Sequence, residues 1–483
     1  MHNLASSPRS AAPVSHGTRR ALPRLAAALS LCILLASGCT MAPDYLRPES
    51  PAPETYETET ELTGRTVPPQ WKQFFTDPVI QRLVHLALDN NRDLRVAVLH
   101  IEKVRAQYGI QRADLLPTVS AAAESSAQRL PRDVSGPTAP DISRQYSATL
   151  GFSGYELDLF GRVRSLTERA LETYYSAEMD ARSTQLSLVS EVAGAYLQLV
   201  ANRELLDITQ ATYDNRKGQY DLVNKKFASG VASRLDVSQA MSIMEEARSN
   251  VARYSTSVGQ SENALALLLG CPLPKDLPDV RKLADVQMLA DVPAGMPSDL
   301  LERRPDIQAA EHMLKAANAD IGAARANFFP RISLTGSVGT LSTDAADLFG
   351  SGAGFWSFVP SVSLPLFDTG RNIASLEMSE AERDMAVAQY EKSIQSAFRE
   401  VADTLVQRRF IDEQLDAENS LVRSPTNSYD LAAYRYDVGI DSYLNVLDAQ
   451  RSLYSAQQSH IATKLLRETN ALTLYKALGG GWK

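Results

Sequence analysis

The 483-residue chain has little cysteine and little histidine, and each shortage excludes a class of protein. Of its three cysteines, Cys32 and Cys39 lie near the start, so the body keeps only Cys271 and a disulfide framework is excluded. The six histidines show no metal-ligand spacing, and none accompanies a candidate nucleophile and carboxylate. The sequence therefore predicts no catalytic residues, no metal site and no cofactor, and an enzyme is not expected.

Long apolar runs are equally scarce. The run Leu25–Leu35 follows Arg19, Arg20 and Arg24 and is too short for a spanning helix, so residues 1–38 are interpreted as a secretory signal peptide. Small residues separate this run from Cys39, which looks like the lipidation site of bacterial lipoproteins; an ordinary cleavage site with an incidental cysteine is the alternative. Because no later run reaches about 18 apolar residues, no membrane-spanning helix is expected.

Positive charge is also in deficit. The chain has a formal net charge of −8, and residues 1–38 contain four arginines and no acidic residue, so the mature charge is −8 − 4 = −12. Such a charge repels nucleic acid, and no nucleic-acid partner is expected. Glycine forms no phosphate-binding loop, and Gly350–Gly354 is interpreted as part of a flexible outward loop.

What the sequence does contain is an internal repeat. The stretch that ends in Leu116-Pro117 aligns with the stretch that ends in Phe329-Pro330. Three further correspondences share one offset of 209 residues: Gly161-Arg162 with Gly370-Arg371, Phe227–Gly230 with Tyr436–Gly439, and Leu269-Gly270 with Leu478-Gly479. The chain is therefore expected to be a duplicated unit of helix, two strands and a helical hairpin.

This repeat fixes the expected domain organisation. A lipid-anchored extended tether (39–70) precedes a first repeat (71–270), and a proline-rich, non-helical connector (271–300) precedes a second repeat (301–483). The first repeat is expected to hold strands at 118–127 and 145–159 and a helical hairpin at 161–269; the second, strands at 331–340 and 355–367 and a hairpin at 371–479.

The predicted strands alternate in polarity. Trp356, Phe358 and Val362 share one face and Ser357 and Ser361 the other, which is typical of a membrane barrel, although a half-buried soluble sheet is the alternative. The alternation slips at Gly154, where a β-bulge fits. Four strands cannot close a barrel, so several chains are expected to share one. The predicted outward loops are Arg129–Ser143 and Thr340–Gly354.

The first arm of the second hairpin carries two apolar seams. One consists of Ala374, Met378, Ala381, Met385 and Ala388, and the other of Val387, Tyr390, Ile394, Ala397 and Val401. A helix with two offset seams requires a neighbour on each side. Since an arm of about 65 residues spans about 100 Å, this pattern predicts a long ring of helices.

Five stretches resemble one family, the outer-membrane efflux proteins of the TolC and OprM type, in particular their lipidated NodT-like branch. They are LERRPDIQAAE, ANADIGAARANFFPRISLTGS, LPLFDTGR, AFREVADTL and YRYDVGIDSYLNVLDAQRSLYSAQ. The resemblance covers the chain from about Cys39 to its end. It implies a mainly α fold with a small β portion: a homotrimer whose twelve strands form an outer-membrane barrel, continuous with a periplasmic α-barrel of twelve helices.

The resemblance also implies functional residues. Asp448 matches the family's inner acidic ring, and Asn445 stands where TolC has a second aspartate. Arg451 matches an arginine of the OprM branch, and Asp236, the repeat partner of Asn445, matches an acidic position near the periplasmic end. These four are the expected gate, with a helix-start residue or a solvated carboxylate as the alternative for each aspartate.

The hairpin turns are the expected contacts of a periplasmic adaptor protein, at Gly230, Gly439, Tyr436 and Asp441. TolC has an arginine at the position of Asp441, so its bonding pattern does not transfer there. Cys39 is expected to carry N-palmitoyl and S-diacylglycerol groups as a covalent lipid.

The expected function is an exit duct in the outer membrane of a Gram-negative bacterium, lipid-anchored and extending into the periplasm. Its expected partners are the adaptor, outer-membrane lipid and an inner-membrane transporter of the RND or ABC type. Efflux of drugs or other small toxic solutes is the leading hypothesis. The alternatives are an exit duct for type I protein secretion and a non-conducting, lipid-anchored periplasmic scaffold.

Overall fold

The computed structural model describes residues 40–53, 69–129, 131, 142–287 and 299–481. The first part of the chain forms α1 (Trp71–Phe74), α2 (Pro78–Asn90), α3 (Arg92–Ala113), β1 (Val119–Gln128), β2 (Ser143–Leu157), α4 (Arg162–Ala228) and α5 (Arg234–Leu269). The second part forms α6 (Asp299–Arg303), α7 (Pro305–Ala326), β3 (Arg331–Ser342), β4 (Gly354–Ser363), α8 (Arg371–Asp437) and α9 (Tyr443–Ala477).

The sequence repeat reappears in the lengths of the helices. Helices α3 and α7 both have 22 residues and begin 213 positions apart, at Arg92 and Pro305. Helices α4 and α8 both have 67 residues and begin 209 positions apart, at Arg162 and Arg371. The two halves of the chain therefore use the same elements in the same order.

Each repeat closes on itself through equivalent contacts. The side-chain nitrogen of Asn91 donates to the carbonyl of Leu268 over 2.8 Å, and the guanidinium of Arg304 donates to the carbonyl of Ala477 over 3.1 Å. Glycine follows each hairpin in the left-handed region, at Gly270 (φ 68°) and Gly479 (φ 87°). A Cβ at Gly270 would lie 2.3 Å from the Asn90 carbonyl oxygen, so only glycine fits this closure.

The chain divides into two compact units. The sheet unit comprises Tyr108–Ala170 and Ala317–Glu382 with the described residues up to Tyr45. The hairpin unit comprises Leu46–Gln107, Leu171–Ala316 and Arg383–Lys483.

The sheet unit holds one antiparallel sheet in the order β1-β2-β3-β4. The register between β2 and β3 shifts between Phe152 and Tyr155, and Gly154, inside that step, has a φ of 68°. The bulge predicted at Gly154 is thereby confirmed. Within the described sheet, β1 and β4 each pair with one neighbour, which leaves one edge of each strand without a partner in this chain.

Two strands end before the predicted residue: β2 ends at Leu157 instead of residue 159, and the fourth strand falls short by more. The sequence pattern extends the fourth strand to residue 367, whereas β4 ends at Ser363. Pro365 follows, but β4 also contains Pro360, which pairs with Leu334, so a proline does not by itself end this edge strand. Polarity alternation alone overestimates its length.

Aspartates begin the long helices. The carboxylate of Asp158 accepts the backbone N–H groups of Val163 and Arg164 over 3.1 and 2.8 Å. The carboxylate of Asp368 accepts those of Gly370 and Asn372 over 3.0 and 2.9 Å. Because the first N–H groups of a helix lack intrahelical partners, these acids fix where α4 and α8 begin.

The proline-rich connector contributes its described residues, 271–287, to the hairpin unit. Arg82 of α2 binds Asp276 over 2.9 Å, and Glu204 of α4 accepts the N–H of Leu283, whose side chain is buried. Residues 288–298 lie outside the described residues. The connector thus binds both a short and a long helix of the first repeat.

The segment predicted as a tether contacts α7 in each unit. In the sheet unit, the Pro43 carbonyl accepts from the side chain of Asn318 over 2.7 Å. In the hairpin unit, Arg47 forms a bidentate ion pair with the buried Glu311, over 3.1 and 2.7 Å. Burial alone would raise the pKa of Glu311, but Arg47 and Lys315 hold it below its ordinary value. Residues 40–47 are therefore held against α7.

Three predictions fall on other parts of the chain. The signal peptide (1–38), Cys39 and most of the loop Arg129–Ser143 lie outside the described residues. Among the helices that the structure describes, none is both long enough and apolar enough to cross a membrane.

The two seams of α8 have different surroundings. Tyr390, Ile394, Ala397 and Val401 are buried within the chain, whereas Ala374, Met378, Ala381, Met385 and Ala388 are exposed. Pro425 lies inside the same helix. One seam of α8 is thus covered by this chain and the other is not.

Candidate functional site

The turn of the first hairpin is stabilised by a capping box. Gly230, with a φ of 77°, ends α4, and its N–H donates to the Phe227 carbonyl over 2.9 Å. Ser233 begins α5: its hydroxyl accepts the N–H of Asp236 over 3.1 Å, and the Asp236 carboxylate accepts the N–H of Ser233 over 2.9 Å. These reciprocal bonds satisfy two backbone donors that the helix itself leaves free.

The turn of the second hairpin uses an ion pair instead. Gly439 has a φ of 79°, and its N–H donates to the Tyr436 carbonyl over 3.0 Å. Ser442 begins α9 without a side-chain cap. Arg435 donates from Nε to Asp441 over 2.6 Å, and this hydrogen bond holds the pKa of the Asp441 carboxyl below its usual range. The two turns share a backbone conformation but are stabilised by different side-chain contacts.

The four expected gate residues meet only in part. Asp448 and Arg451 lie 4.0 Å apart on α9, with 62% and 72% of their side chains exposed, while neighbouring Val446 and Leu447 are buried. Asp448 therefore points away from the chain's own packing. Within the described residues, no hydrogen bond joins Asp236 to Asn445 or Asp448, and the Asp236 carboxylate serves its own helix start.

A small apolar cluster joins the two hairpins next to these turns. We name it the turn cluster; its buried members are Val223, Ala240, Tyr443, Val446 and Leu447. Tyr436 packs against it, with its ring 5.2 Å from that of Tyr443 and 4.2 Å from the ammonium of Lys226. Burial raises the pKa of Tyr443 to about 12, so this phenol stays neutral at physiological pH.

A chain of hydrogen bonds borders the turn cluster. Gln219 of α4 accepts from the Tyr443 hydroxyl over 3.2 Å and donates to that of Tyr429 over 3.3 Å. Asn215 accepts from Tyr429 over 3.0 Å and from Gln450 over 3.2 Å. Sequence reasoning missed these residues. Asn215, Gln219 and Val223 recur at intervals of four, which places them on one helix face. This spacing is the feature of the sequence that could have indicated them.

Arg216 links the two arms of the first hairpin beside this network. The side chain is buried and donates to the Ile243 carbonyl of α5 over 3.1 Å, with Glu246 3.4 Å away. Burial lowers its pKa, which Glu246 partly opposes. Its guanidinium also lies 5.9 Å from the ring centre of Tyr454, whose hydroxyl is 2.8 Å from Thr209.

Long helical hairpins joined to a four-stranded antiparallel sheet define a class of outer-membrane channels. The open state of the Neisseria gonorrhoeae MtrE outer membrane channel has this fold, with a TM-score of 0.84 and 40% identity over 92% of this chain and 99% of that chain.

The chain belongs to the outer membrane efflux protein family, whose model matches residues 83–271 and 296–480. It is 50% identical, over 94% of its length and 95% of theirs, to two Pseudomonas putida proteins: the toluene efflux pump outer membrane protein TtgC and the antibiotic efflux pump outer membrane protein ArpC. The resemblance, the efflux function and the outer-membrane location expected from the sequence are thereby confirmed. The family is one of channels and not of enzymes.

Proposed function

We propose that the chain forms, as a homotrimer, the passive exit duct of a tripartite efflux pump. The observation that carries this proposal is the pair of open sheet edges, because β1 and β4 each have one partner in the described sheet. In lipid every backbone N–H and C=O group must be paired, so these edges require strands from other copies. Three copies supply twelve strands for one closed barrel and twelve long helical segments for the periplasmic tunnel. The exposed seam of α8 supports the same assembly, because it is apolar and uncovered within the chain.

The substrates proposed for the duct are small apolar or amphiphilic toxic solutes. TtgC and ArpC belong to pumps for toluene and for antibiotics, and their likeness to this chain favours solute efflux over protein secretion. The proposed partners are a periplasmic adaptor, which contacts the turns around Gly230 and Gly439, and an inner-membrane pump of the RND type. The duct itself needs no catalytic residue, because the pump supplies the energy.

The periplasmic end is the proposed gate. With threefold symmetry, three copies of Asp448 lie near the axis, where their combined negative potential favours cations and hinders anions. Arg451, one turn further on, restrains the closed state by pairing with Asp448 or with the neighbouring copy. The adaptor opens the duct by binding the open state more tightly than the closed state.

Cys39 is the proposed lipid attachment site, and Thr40, in place of aspartate, lacks the usual signal for retention at the inner membrane. Changing Cys39 to Ser should abolish incorporation of radiolabelled fatty acid. The barrel still anchors the variant, so efflux should fall only in part. Label retained by the variant would assign the lipid to another residue.

Efflux and conductance together test the function. A strain that lacks its own outer-membrane efflux channel should regain resistance to toluene or to an antibiotic when it expresses this chain with the cognate adaptor and pump. The purified protein should also conduct ions in planar bilayers. Purified oligomers that never conduct, in a chain that also fails to restore resistance, would favour the scaffold alternative.

A further inference from the structure

A cavity of about 250 Å³ lies in the sheet unit, where the strands meet the long helices. We name it the junction cavity. Its lining comes from the end of β2, the start of α4, the turn between α7 and β3, and the segment between β4 and α8. Pockets for drug-sized ligands measure roughly 300–1,000 Å³, and a cavity of about 150 Å³ encloses one benzene ring. The junction cavity therefore fits one ring with a small polar group.

One part of the lining is aromatic. The rings of Phe160 and Phe329 are stacked, with centroids 4.7 Å apart and planes inclined by 21°. Pro330 and Pro365 extend this apolar surface within the lining. Phe329 remains 38% exposed although its ring is stacked, so apolar surface is left for a ligand. A flat ring that covers it gains both apolar burial and aromatic contact.

An arginine with spare donors lines the same cavity. Glu156 accepts two hydrogen bonds from Arg162, over 2.8 and 2.7 Å, so that pair occupies both carboxylate oxygens. Arg331 lies 3.4 Å from Glu156 and is 54% exposed. Among the described residues, no partner forms a hydrogen bond with the side chain of Arg331. Because a guanidinium carries five N–H donors, Arg331 keeps donors for a ligand.

The charges around the junction cavity do not cancel. Glu156 is compensated by its bidentate partner Arg162. Asp158 begins α4 and pairs with Arg164 over 3.2 Å. Arg331 is a third arginine beside these two carboxylates, and the excess is one positive charge. An excess positive charge next to an apolar surface favours a ligand that is both anionic and aromatic.

The sheet register places these charges on the face that carries the serines. Glu156 stands opposite Ser333, and Arg331 stands opposite Ser363. Opposed residues share a face, and the hydroxyl of Ser333 lies 2.7 Å from that of Ser361. The other face carries the apolar side chains that a barrel turns toward lipid. In the proposed duct, the charged side of the junction cavity therefore borders the lumen.

We propose that the junction cavity binds small aromatic monoanions, with the carboxylate on Arg331 and the ring on Phe160 and Phe329. Two N–H groups of a guanidinium match the two oxygens of a carboxylate. The proposal rests on the proposed duct and adds a class of solute to it. Because Arg331 is half exposed, the anion is released readily, as passage through a duct requires.

Fluorine NMR of para-fluorobenzoate tests the site on the purified full-length protein in detergent. The signal should broaden with the parent protein, and unlabelled benzoate should reverse the broadening. Benzamide has nearly the same shape without the charge and should not compete. Detergent micelles without protein give the background.

Three variants assign the contacts. Arg331→Gln should weaken binding by about tenfold or more, because it removes a charged hydrogen-bond donor. Phe329→Leu keeps the charge but removes a ring, and should weaken binding by about two- to tenfold. Arg144→Gln removes the same charge from the other end of β2, roughly 40 Å away along the strand, and should bind like the parent. Light scattering establishes that each variant keeps the mass of the parent.

The outcomes separate the site from the duct. Equal binding by the parent and Arg331→Gln, or equal competition by benzoate and benzamide, would overturn the site and leave the duct standing. A parent that binds para-fluorobenzoate with the expected dependence on Arg331 but never conducts ions would support the site and overturn the duct.

Discussion

The two helical hairpins have matching lengths and matching turns, yet different residues hold and surround them. In the first hairpin, a capping box begins α5, Arg216 links the two arms, and one face of α4 is covered by α7. In the second hairpin, an ion pair stabilises the turn, α9 begins without a side-chain cap, and one seam of α8 is open. The difference shows that the two repeats share a backbone arrangement, whereas the residues that pack around each hairpin differ.

The acidic residues follow this division. Asp448 of the second hairpin corresponds to Gln239 of the first, and Asn445 corresponds to Asp236. The first hairpin therefore uses its carboxylate on its own helix start, while the second exposes one next to an arginine. Substitutions at equivalent positions of the two hairpins therefore distinguish a carboxylate that caps its own helix from one that is exposed.

The largest effect is expected at the open seam of α8. Ala381→Glu places a carboxylate in the exposed apolar seam of α8, which the proposed homotrimer covers, and an unpaired buried charge costs several kcal/mol. The variant should elute as monomers in detergent, as measured by light scattering.

Ala462→Glu is the control, since the same change at a position exposed in both repeats should leave the assembly intact. A fully assembled Ala381→Glu variant would show that the seam of α8 faces solvent.

The second effect concerns ion selectivity. Asp448→Ala should reduce cation selectivity and weaken block by trivalent cations, because it removes the negative potential near the axis. Gln239→Ala, at the equivalent position of the first hairpin, should change neither property. Reversal potentials across a salt gradient measure the first, and single-channel block measures the second.

Arg451→Ala tests the same gate from the other side and should raise the resting conductance, because it removes a restraint on the closed state. Unchanged selectivity in Asp448→Ala would return this residue to the role of a solvated carboxylate on a helix face.

The third effect compares the two helix starts. Ser233→Ala removes the capping hydroxyl and should cost about 1 kcal/mol locally, or about fivefold faster amide hydrogen exchange in the first turn of α5. Ser442→Ala should change exchange at the start of α9 by far less, because Ser442 makes no cap bond. Equal effects in the two variants would mean that the two turns are stabilised alike.

The smallest effect is the response of the second turn to acid. Because Arg435 lowers the pKa of Asp441, their pairing stabilises the turn above the ordinary carboxyl pKa of about 3.9 and is lost as the pH falls through the lowered value. A spin label at Val438→Cys should therefore gain mobility below about pH 4. Asp441→Asn should be mobile at every pH, and a parent protein with no such transition would exclude the pair as a restraint.

Local patterns predicted the family, the helical class and the bulge at Gly154, because each depends on residues close together in the sequence. The end of β4 at Ser363 was missed because the alternation of apolar and polar residues continues beyond it, to Leu366. The hydrogen-bond chain of Asn215, Gln219 and Tyr429 was also missed, since it joins residues more than two hundred positions apart. The spacing of residues shows which of them share a helix face, but it does not show which other helix packs against that face.

Pro425 gives the second hairpin a mechanical property that the first lacks. Proline has no N–H, so the carbonyl of Leu421 loses its helical partner and α8 resists bending least at this point. The equivalent residue of α4 is Arg216, which ties that helix to α5. At this position α4 is held by a side-chain contact with α5, whereas α8 lacks a backbone hydrogen bond. A force applied equally to both turns would therefore bend the second hairpin first, and the hinge would lie twelve residues before the end of α8.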